Sequence, residues 1–122
     1  MRKAKRISPK ELVFSFKVAI RGIWFMLRSQ RHAWIHLTAT LAVCITGAYF
    51  GVTRIEWCWL VMAMTSVWTA ETLNTALELL CDVASPEFHP LVENAKDVAA
   101  GAVLICIVGA VIIGLIIFIP YY

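Results

Sequence analysis

Long apolar runs alternate with short polar breaks along the chain, and this pattern predicts four helices. From Glu11 to Leu27 apolar residues recur every three or four positions, and the cations fall mainly elsewhere on the helical wheel. Such a pattern is typical of an amphipathic helix lying on a membrane surface. Three longer apolar runs follow, at about 34–50, 57–80 and 98–119, and each is long enough for a transmembrane helix.

Polar and helix-breaking residues set the boundaries of the three predicted spans. Residues 51–56 leave room only for a tight hairpin between the first two spans. The second helix meets no breaker before Ser85, so we expect it to continue past the membrane to about Val83. The prolines at positions 86 and 90 predict a turn from Ser85 to Pro90.

The composition is typical of a chain that lies mostly within a lipid bilayer. Of the 122 residues, 61% are hydrophobic and 16% are charged, whereas soluble proteins are about half apolar and a quarter charged. A soluble globule of this size could not bury so much apolar surface. The sequence therefore predicts an all-α integral membrane protein. It would form a single domain over residues 1–122, with one amphipathic surface helix and three transmembrane helices.

Basic residues are concentrated in the N-terminal segment. Nine of the eleven Lys and Arg residues lie within the first 31 positions. Because cytoplasmic segments of membrane proteins are rich in Lys and Arg, we expect residues 1–31 and 85–97 in the cytoplasm, and the hairpin and the C-terminus outside. The segment mixes charged and apolar residues, unlike a signal peptide. No recognition module for nucleic acid follows it, so no nucleic-acid partner is expected.

Four polar side chains form a stripe on the second predicted span. Their spacings of three, four and four residues place them on one face of a helix. The stripe consists of Glu71, Asn74, Glu78 and Asp82. Glu71 is 14 residues from Trp57, or about 21 Å along a helix, so it lies inside a hydrocarbon core about 30 Å thick. Glu78 then falls near the cytoplasmic interface, and Asp82 lies in water.

The chemistry of these groups suits phosphoryl transfer to a membrane alcohol. A charged side chain inside a bilayer costs about 2.5–3.5 kcal/mol or more and marks a functional site by default. Glu71 is a candidate general base for a lipid hydroxyl. Glu78, at the boundary with water, is a candidate ligand for a divalent cation on a phosphate chain. The third span brings Lys96 and Asp97 to the same level, where Lys96 can neutralise phosphate charge.

Other interpretations of the stripe stay open. Polar side chains also join helices within membranes, so Asn74 could bond across a helix interface and Glu78 could form an ion pair with Lys96. Glu71 could also be the titrating group of a small transport subunit. The outer half of this helix consists of Trp, Cys, Leu, Val and Met, however, and offers no polar path outward from Glu71.

Three blocks of the sequence resemble one known family. The blocks are the run from Glu71 to Glu78 followed by Asp82, the turn from Ser85 to Pro90, and residues 95–97. Together, and at the distances found here, they are similar to the signature of the prokaryotic diacylglycerol kinase family. The likeness also includes the surface helix, the three spans and the chain length, so it covers essentially the whole chain.

The resemblance implies an activity and an assembly. It implies a homotrimer in the bacterial inner membrane that uses Mg²⁺ to transfer the γ-phosphate of ATP to a lipid hydroxyl, at sites shared between protomers. By the same resemblance Glu71 is the catalytic base, Glu78 is a metal ligand that also contacts ATP, and Asn74 lies beside Glu78. The other positions expected to contact the nucleotide are Glu87, His89, Lys96 and Asp97.

One position departs from the family's pattern. Gln30 stands where the family usually has a glutamate that shares the metal with the Glu78 position. An amide binds a divalent cation more weakly than a carboxylate does, so a catalytically inactive assembly protein is a further alternative. Members of the family phosphorylate either diacylglycerol or undecaprenol. The turn from Ser85 to Pro90 is more similar to the undecaprenol-type branch.

Overall fold

A computed structural model describes residues 6–122, which form four α-helices and a final 3₁₀ turn without any strand. The helices are α1 (Pro9–Ser29), α2 (Arg31–Phe50), α3 (Arg54–Ala84) and α4 (Pro90–Phe118), and the 3₁₀ turn is Ile119–Tyr121. The prediction of an all-α fold is confirmed for these residues. Residues 1–5 of the predicted basic segment lie outside the described part of the chain.

Helix α1 begins two residues before the predicted amphipathic segment. Ser8 caps it, because its hydroxyl accepts a hydrogen bond from the Glu11 N–H and its own N–H donates to the Glu11 carboxylate. Pro9 fits the first helical position because its missing N–H would have no partner there. Met26, near the end of α1, is buried and lines a groove together with residues of α3. The large apolar side chains from Leu12 to Phe25 stay exposed.

The connection between α2 and α3 is shorter than the sequence predicted. Gly51 ends α2 in the left-handed conformation (φ 62°), which favours glycine. Thr53 then caps α3, because its hydroxyl accepts from the Glu56 N–H while the Glu56 carboxylate accepts from the Thr53 N–H. Helix α3 therefore begins at Arg54, and the predicted loop 51–56 is wrong for its second half.

The predicted turn between α3 and α4 is confirmed except for its last residue, Pro90. Helix α3 ends at Ala84, one residue beyond the predicted Val83. Helix α4 begins at Pro90, where a proline is favoured, and the His89 imidazole accepts a hydrogen bond from the Leu91 N–H. The predicted cytoplasmic segment 85–97 is therefore helical from residue 90 onward.

One end of the bundle is closed by apolar packing. We call it the hairpin end and define it as residues 47–60 and 113–122. Val52, Leu60 and Ile117 are buried there. Aromatic rings from three parts of the chain surround them, namely Phe50, Trp57, Phe118 and Tyr121. The Tyr121 hydroxyl donates a hydrogen bond to the Glu56 carboxylate, which ties the end of the chain to the start of α3.

The outer faces of the helices are apolar. Within residues 6–122, the segments Arg31–Phe50 and Pro90–Tyr121 are long and apolar enough to cross a membrane. Helix α3, which covers the predicted second span, is less apolar than α4. Large apolar side chains such as Ile45 and Ile105 are about 70% exposed (69% and 74%). Soluble proteins rarely expose so much contiguous apolar surface, so these faces suit lipid or other helices.

Candidate active site

Glu71 is a buried carboxyl group between α2 and α3. Only 4% of its surface is exposed. Its Oε2 lies 3.3 Å from Nε2 of His36, which projects from α2. A charge taken out of water is strongly destabilising unless a partner compensates for it. The His36 imidazole is the polar partner that the structure gives this buried carboxyl group.

The His36 imidazole is itself held by its neighbours. Its ring meets the Trp68 indole edge to face, with centroids 6.1 Å apart. The Trp68 Nε1–H donates to the Thr40 hydroxyl (2.9 Å), and that hydroxyl donates to the His36 carbonyl (2.8 Å). Sequence reasoning missed His36 as a site residue. The signal was an imidazole within a predicted span, where an ionisable side chain is a candidate functional residue by default.

Glu78 meets the break between α1 and α2. The Gln30 side chain donates from Nε2 to the Glu78 Oε2 at 3.3 Å. Gln30 has an extended backbone and is the single residue between the two helices, so its position is fixed by both of them. The structure thus brings together the two positions that the sequence associated with a metal.

Asn74 lies on α3, one turn from Glu78 and about one turn from Glu71. Its Oδ1 is buried and has no hydrogen-bond partner among residues 6–122. A buried acceptor without a donor costs about 1–3 kcal/mol. Such an oxygen is available to a cation or to a donor on a bound molecule.

These oxygen donors fit a magnesium ion. Mg²⁺ prefers oxygen ligands and is commonly bound by one or two carboxylates together with substrate phosphates and water. Glu78 and Asn74 offer such oxygens, whereas the Gln30 amide turns its nitrogen toward Glu78. Within residues 6–122 no group of three or more His, Cys, Asp or Glu side chains could hold a metal ion on its own. An ion at Glu78 would therefore complete its coordination with phosphate and water oxygens.

Lys96 pairs with Asp82 at the far end of the stripe. Its Nζ lies 2.7 Å from the Asp82 Oδ1, and both side chains are accessible to water. The hydrogen bond to Asp82 raises the pKa of Lys96, so the side chain is fully protonated at neutral pH. The ion pair between Glu78 and Lys96 that the sequence left open is not formed, because Glu78 meets Gln30 instead.

The other predicted nucleotide residues are exposed around the α3–α4 connection. Glu87 and His89 lie in the turn, and Asp97 lies in the second turn of α4. The Ser85 hydroxyl donates to the Glu87 carbonyl at 2.9 Å and helps to shape the turn. No hydrogen bond or ion pair in the described part of the chain joins these three residues to Glu71. The site thus has a buried part around Glu71 and an exposed part around Lys96.

Two apolar grooves lie beside the buried part. One, of about 460 Å³, runs between α1 and α3 and is lined by Ile23, Met26, Trp68, Thr69, Thr72 and Leu73. The other, of about 350 Å³, lies between α2, α3 and α4 and includes His36 and Thr40 in an otherwise apolar lining. The second groove thus reaches the His36 side chain, and the first reaches Trp68, on which the His36 ring packs.

The sequence is similar to one family of known proteins. The model of the family described as "Prokaryotic diacylglycerol kinase" matches residues 17–118. A protein of Bacillus subtilis named "Undecaprenol kinase" is 42% identical over 106 residues, which cover 87% of this chain and 86% of that protein. A "Diacylglycerol kinase" of Synechocystis is 36% identical, over 91% of this chain and 63% of that protein.

A more distant relative shows the same family. The "Diacylglycerol kinase" of Escherichia coli is 31% identical over 104 residues, covering 80% of this chain and 85% of that protein. The family match includes every predicted site residue from Gln30 to Asp97. The apolar helices agree with a bacterial membrane protein. The chain therefore belongs to the prokaryotic diacylglycerol kinase family, a family of lipid kinases.

Proposed function

We propose that the protein transfers the γ-phosphate of ATP to the hydroxyl group of a membrane lipid. The observation that carries this proposal is the buried carboxyl group of Glu71, held beside His36, whose side chain lines an apolar groove. A general base for a lipid hydroxyl has to lie where the lipid is, below the surface of the membrane. Glu71 meets that requirement, whereas Asp82 and Asp97 are exposed.

The proposed step is a direct displacement at phosphorus. Glu71 accepts the proton of the lipid hydroxyl while the hydroxyl oxygen forms a bond to the γ-phosphorus. The bond from that phosphorus to the β–γ bridging oxygen breaks, and ADP is released. Glu71 then returns the proton to water. Because water is largely excluded around Glu71, the carboxylate competes with few other acceptors for this proton.

The exposed residues bind the nucleotide in this proposal. Lys96 is a cation placed to neutralise phosphate charge, and Glu87, His89 and Asp97 surround the same turn. Glu78 would hold Mg²⁺, with the unpartnered oxygen of Asn74 one turn away on the same helix. When bound, the ion would neutralise charge on the β- and γ-phosphates.

We further propose three membrane spans and a homotrimer. Helices α2, α3 and α4 would cross the bilayer, with the N-terminus and the α3–α4 turn in the cytoplasm and the C-terminus outside. The cluster of cations in the first 31 residues supports this orientation. The unpartnered Asn74 oxygen and the exposed apolar helix faces support an assembly that completes the site.

Undecaprenol is the acceptor that we expect. The relative named undecaprenol kinase is 42% identical, whereas the diacylglycerol kinase of Escherichia coli is 31% identical. The turn from Ser85 to Pro90 also resembles the undecaprenol-type branch. The alternative of a transport or assembly subunit without kinase activity is not favoured, because the named relatives are kinases.

A phosphate-transfer assay tests the proposed function. Purified protein in mixed micelles is incubated with radiolabelled ATP, Mg²⁺ and either undecaprenol or diacylglycerol, and the labelled lipid is measured. We expect label in undecaprenol and a loss of about 10²–10⁴-fold in Glu71→Gln. Glu11→Gln is the matched control, because glutamine also serves in the capping box at the start of α1.

The assay has outcomes that contradict each part. If neither lipid is labelled by the wild type or by Gln30→Glu, the kinase proposal is wrong. If Glu71→Gln is as active as Glu11→Gln, Glu71 is not the base. If diacylglycerol is the better acceptor, the choice of undecaprenol is wrong and the kinase proposal stands.

A further inference from the structure

We infer that His36 is a positioning residue that fixes the Glu71 carboxylate for proton transfer. This inference rests on the proposed function, because it assigns a role beside the base of that reaction. The two side chains come from different helices, α2 and α3, and their relative position therefore depends on how these helices pack.

The contact with His36 uses one of the two carboxylate oxygens. The Glu71 Oε2 lies 3.3 Å from the His36 Nε2. No hydrogen bond within residues 6–122 is made to the Glu71 Oε1, which leaves this oxygen to accept the proton of a substrate hydroxyl. With an N–H at Nε2, the imidazole can donate toward Oε2 and so limits the rotation of the carboxyl group.

The neighbours of the His36 imidazole restrain it, so that it can orient the Glu71 carboxyl group. His36 is 14% exposed at its side chain, packs edge to face on Trp68, and lies on the helical turn whose carbonyl is bonded by Thr40. Trp68 in turn donates to Thr40, so α2 and α3 are joined on both sides of the imidazole. Glu71 is one turn from Trp68 on the same helix, and its carbonyl accepts from Thr75.

A purely structural contact between α2 and α3 would behave differently. Loss of such a contact would lower stability and change all kinetic constants of the enzyme together. Loss of a positioning contact would lower kcat and leave the KM for ATP unchanged, because the proposed nucleotide residues lie around the α3–α4 turn. A side chain that returns an N–H near the position of Nε2 would restore part of the activity.

Substitution of His36 separates these two roles. We expect His36→Leu to lower kcat about 10–100-fold, as for other groups that orient a reactive ligand, with the KM for ATP within about twofold. His36→Gln, whose amide can donate near the position of Nε2, should return kcat to within about tenfold of the wild type. The matched control is His32→Leu, the same change one turn earlier on α2 at an exposed position.

A second measurement does not depend on kinase activity. The apolar reagent dicyclohexylcarbodiimide modifies protonated carboxyl groups in apolar surroundings, and mass spectrometry locates the product. Without the imidazole the Glu71 carboxyl group loses its contact at Oε2 and its cover on that side, so the apolar reagent reaches it more easily. We therefore expect several-fold more labelling of Glu71 in His36→Leu than in the wild type or in His32→Leu, and none at this position in Glu71→Gln.

The outcomes distinguish the inference from the function on which it rests. An active wild type in which His36→Leu matches His32→Leu in kcat and in labelling would overturn the inference and leave the kinase proposal intact. A parallel change in kcat and in the KM for ATP, without recovery in His36→Gln, would also overturn it. If the wild type transfers no phosphate, the proposed function fails, and unchanged labelling in His36→Leu would then contradict the contact itself.

Discussion

At the hairpin end, apolar side chains of one chain bury one another, whereas at the polar end the acids of α3 face partners on three different elements. We define the polar end as residues 30–36 and 71–97. Val52, Leu60 and Ile117 meet at the hairpin end within a ring of aromatic side chains. At the polar end Glu71 meets α2, Glu78 meets the α1–α2 break, and Asp82 meets α4.

The two ends also differ in how completely one chain satisfies its polar groups. At the hairpin end Glu56 is paired twice, with the Thr53 N–H and with the Tyr121 hydroxyl. At the polar end the buried Asn74 oxygen has no partner among the described residues, and Lys96 stays open to water. Natural proteins keep such deficits where a ligand or another subunit supplies the missing groups. The hairpin end is thus expected to provide stability, and the polar end function.

Substitution of Lys96 should give the largest change in activity among the tests of whether the polar end provides function and the hairpin end stability. We expect Lys96→Ala to lower kcat/KM for ATP about 10²-fold, because it removes the cation that we propose stabilises phosphate charge in the transition state. Thermal unfolding should change little, because an exposed ion pair contributes about 0–1 kcal/mol. Initial rates of label transfer at varied ATP and circular dichroism in detergent measure the two quantities.

Asp82→Asn is the matched control for Lys96, because it breaks the same ion pair from the other side. The cation stays in place, so we expect kcat/KM for ATP within about threefold of the wild type. Equal losses in the two variants would show that the ion pair, and not the free cation, is what activity requires. The polar end would then differ less from the hairpin end than we propose.

The positions of the helices could be predicted from the sequence almost throughout. Apolar periodicity and length gave α2 and most of α3, because these signals are local. The predicted boundaries are wrong mainly at the starts of helices, because capping residues determine where a helix begins. The Thr53–Glu56 capping box and Pro90 at a first helical position are both present in the sequence, and they start α3 and α4 earlier than apolar periodicity alone predicts.

The site could be predicted along one helix but not across helices. The spacing of three and four residues placed Glu71 and Glu78 on one face, because that follows from helix geometry alone. It could not show that His36 meets Glu71 or that Lys96 meets Asp82, since these contacts depend on how α2 and α4 pack against α3. The roles of the predicted site residues stay predictions.

Gly47 tests the packing of the hairpin end. A Cβ at this position would lie 2.7 Å from the Cη2 atom of the Trp57 indole. We expect Gly47→Ala to destabilise the fold by about 1–3 kcal/mol, because the rigid ring must move within a packed cluster. Gly109→Ala is the control, since its Cβ meets nothing within 4 Å. Thermal unfolding in detergent measures the difference, and equal stability of the two variants would contradict the close approach.

Gln30 tests whether the polar end lacks a metal ligand. Gln30→Glu replaces a donor beside Glu78 with a second carboxylate, so we expect the Mg²⁺ concentration for half-maximal activity to fall about three- to tenfold. Ser29→Glu places the same charge one residue away on exposed helix and is the control. Kinase assays across a Mg²⁺ titration measure the shift. A shift of the same size in Ser29→Glu would assign it to general charge attraction.

Loss of the hydrogen bond between Tyr121 and Glu56 should give the smallest change in stability among these variants. It tests whether polar contacts at the hairpin end affect stability without affecting activity. We expect Tyr121→Phe to lower the melting temperature slightly at neutral pH and to leave kinase activity unchanged, because the bond lies at the opposite end from Glu71. Tyr122→Phe, at a fully exposed neighbour, is the control and should change neither quantity. Calorimetry in detergent and the label-transfer assay measure them.

The pH dependence of that small effect follows from the two pKa shifts. The Tyr121 hydrogen bond lowers the pKa of Glu56 in the folded state. The bond therefore stabilises the fold at pH values above the ordinary Glu56 pKa of about 4.3, and this stabilisation is lost as the pH falls through the lowered pKa. The same bond raises the pKa of Tyr121, so stabilisation is present below about 10 and is lost as the pH rises through the raised value. The wild type should therefore exceed Tyr121→Phe in stability between these limits and match it in acid. A difference that persists unchanged at pH values well below the lowered Glu56 pKa would show that ring packing on Phe50, and not the hydrogen bond, distinguishes the two proteins.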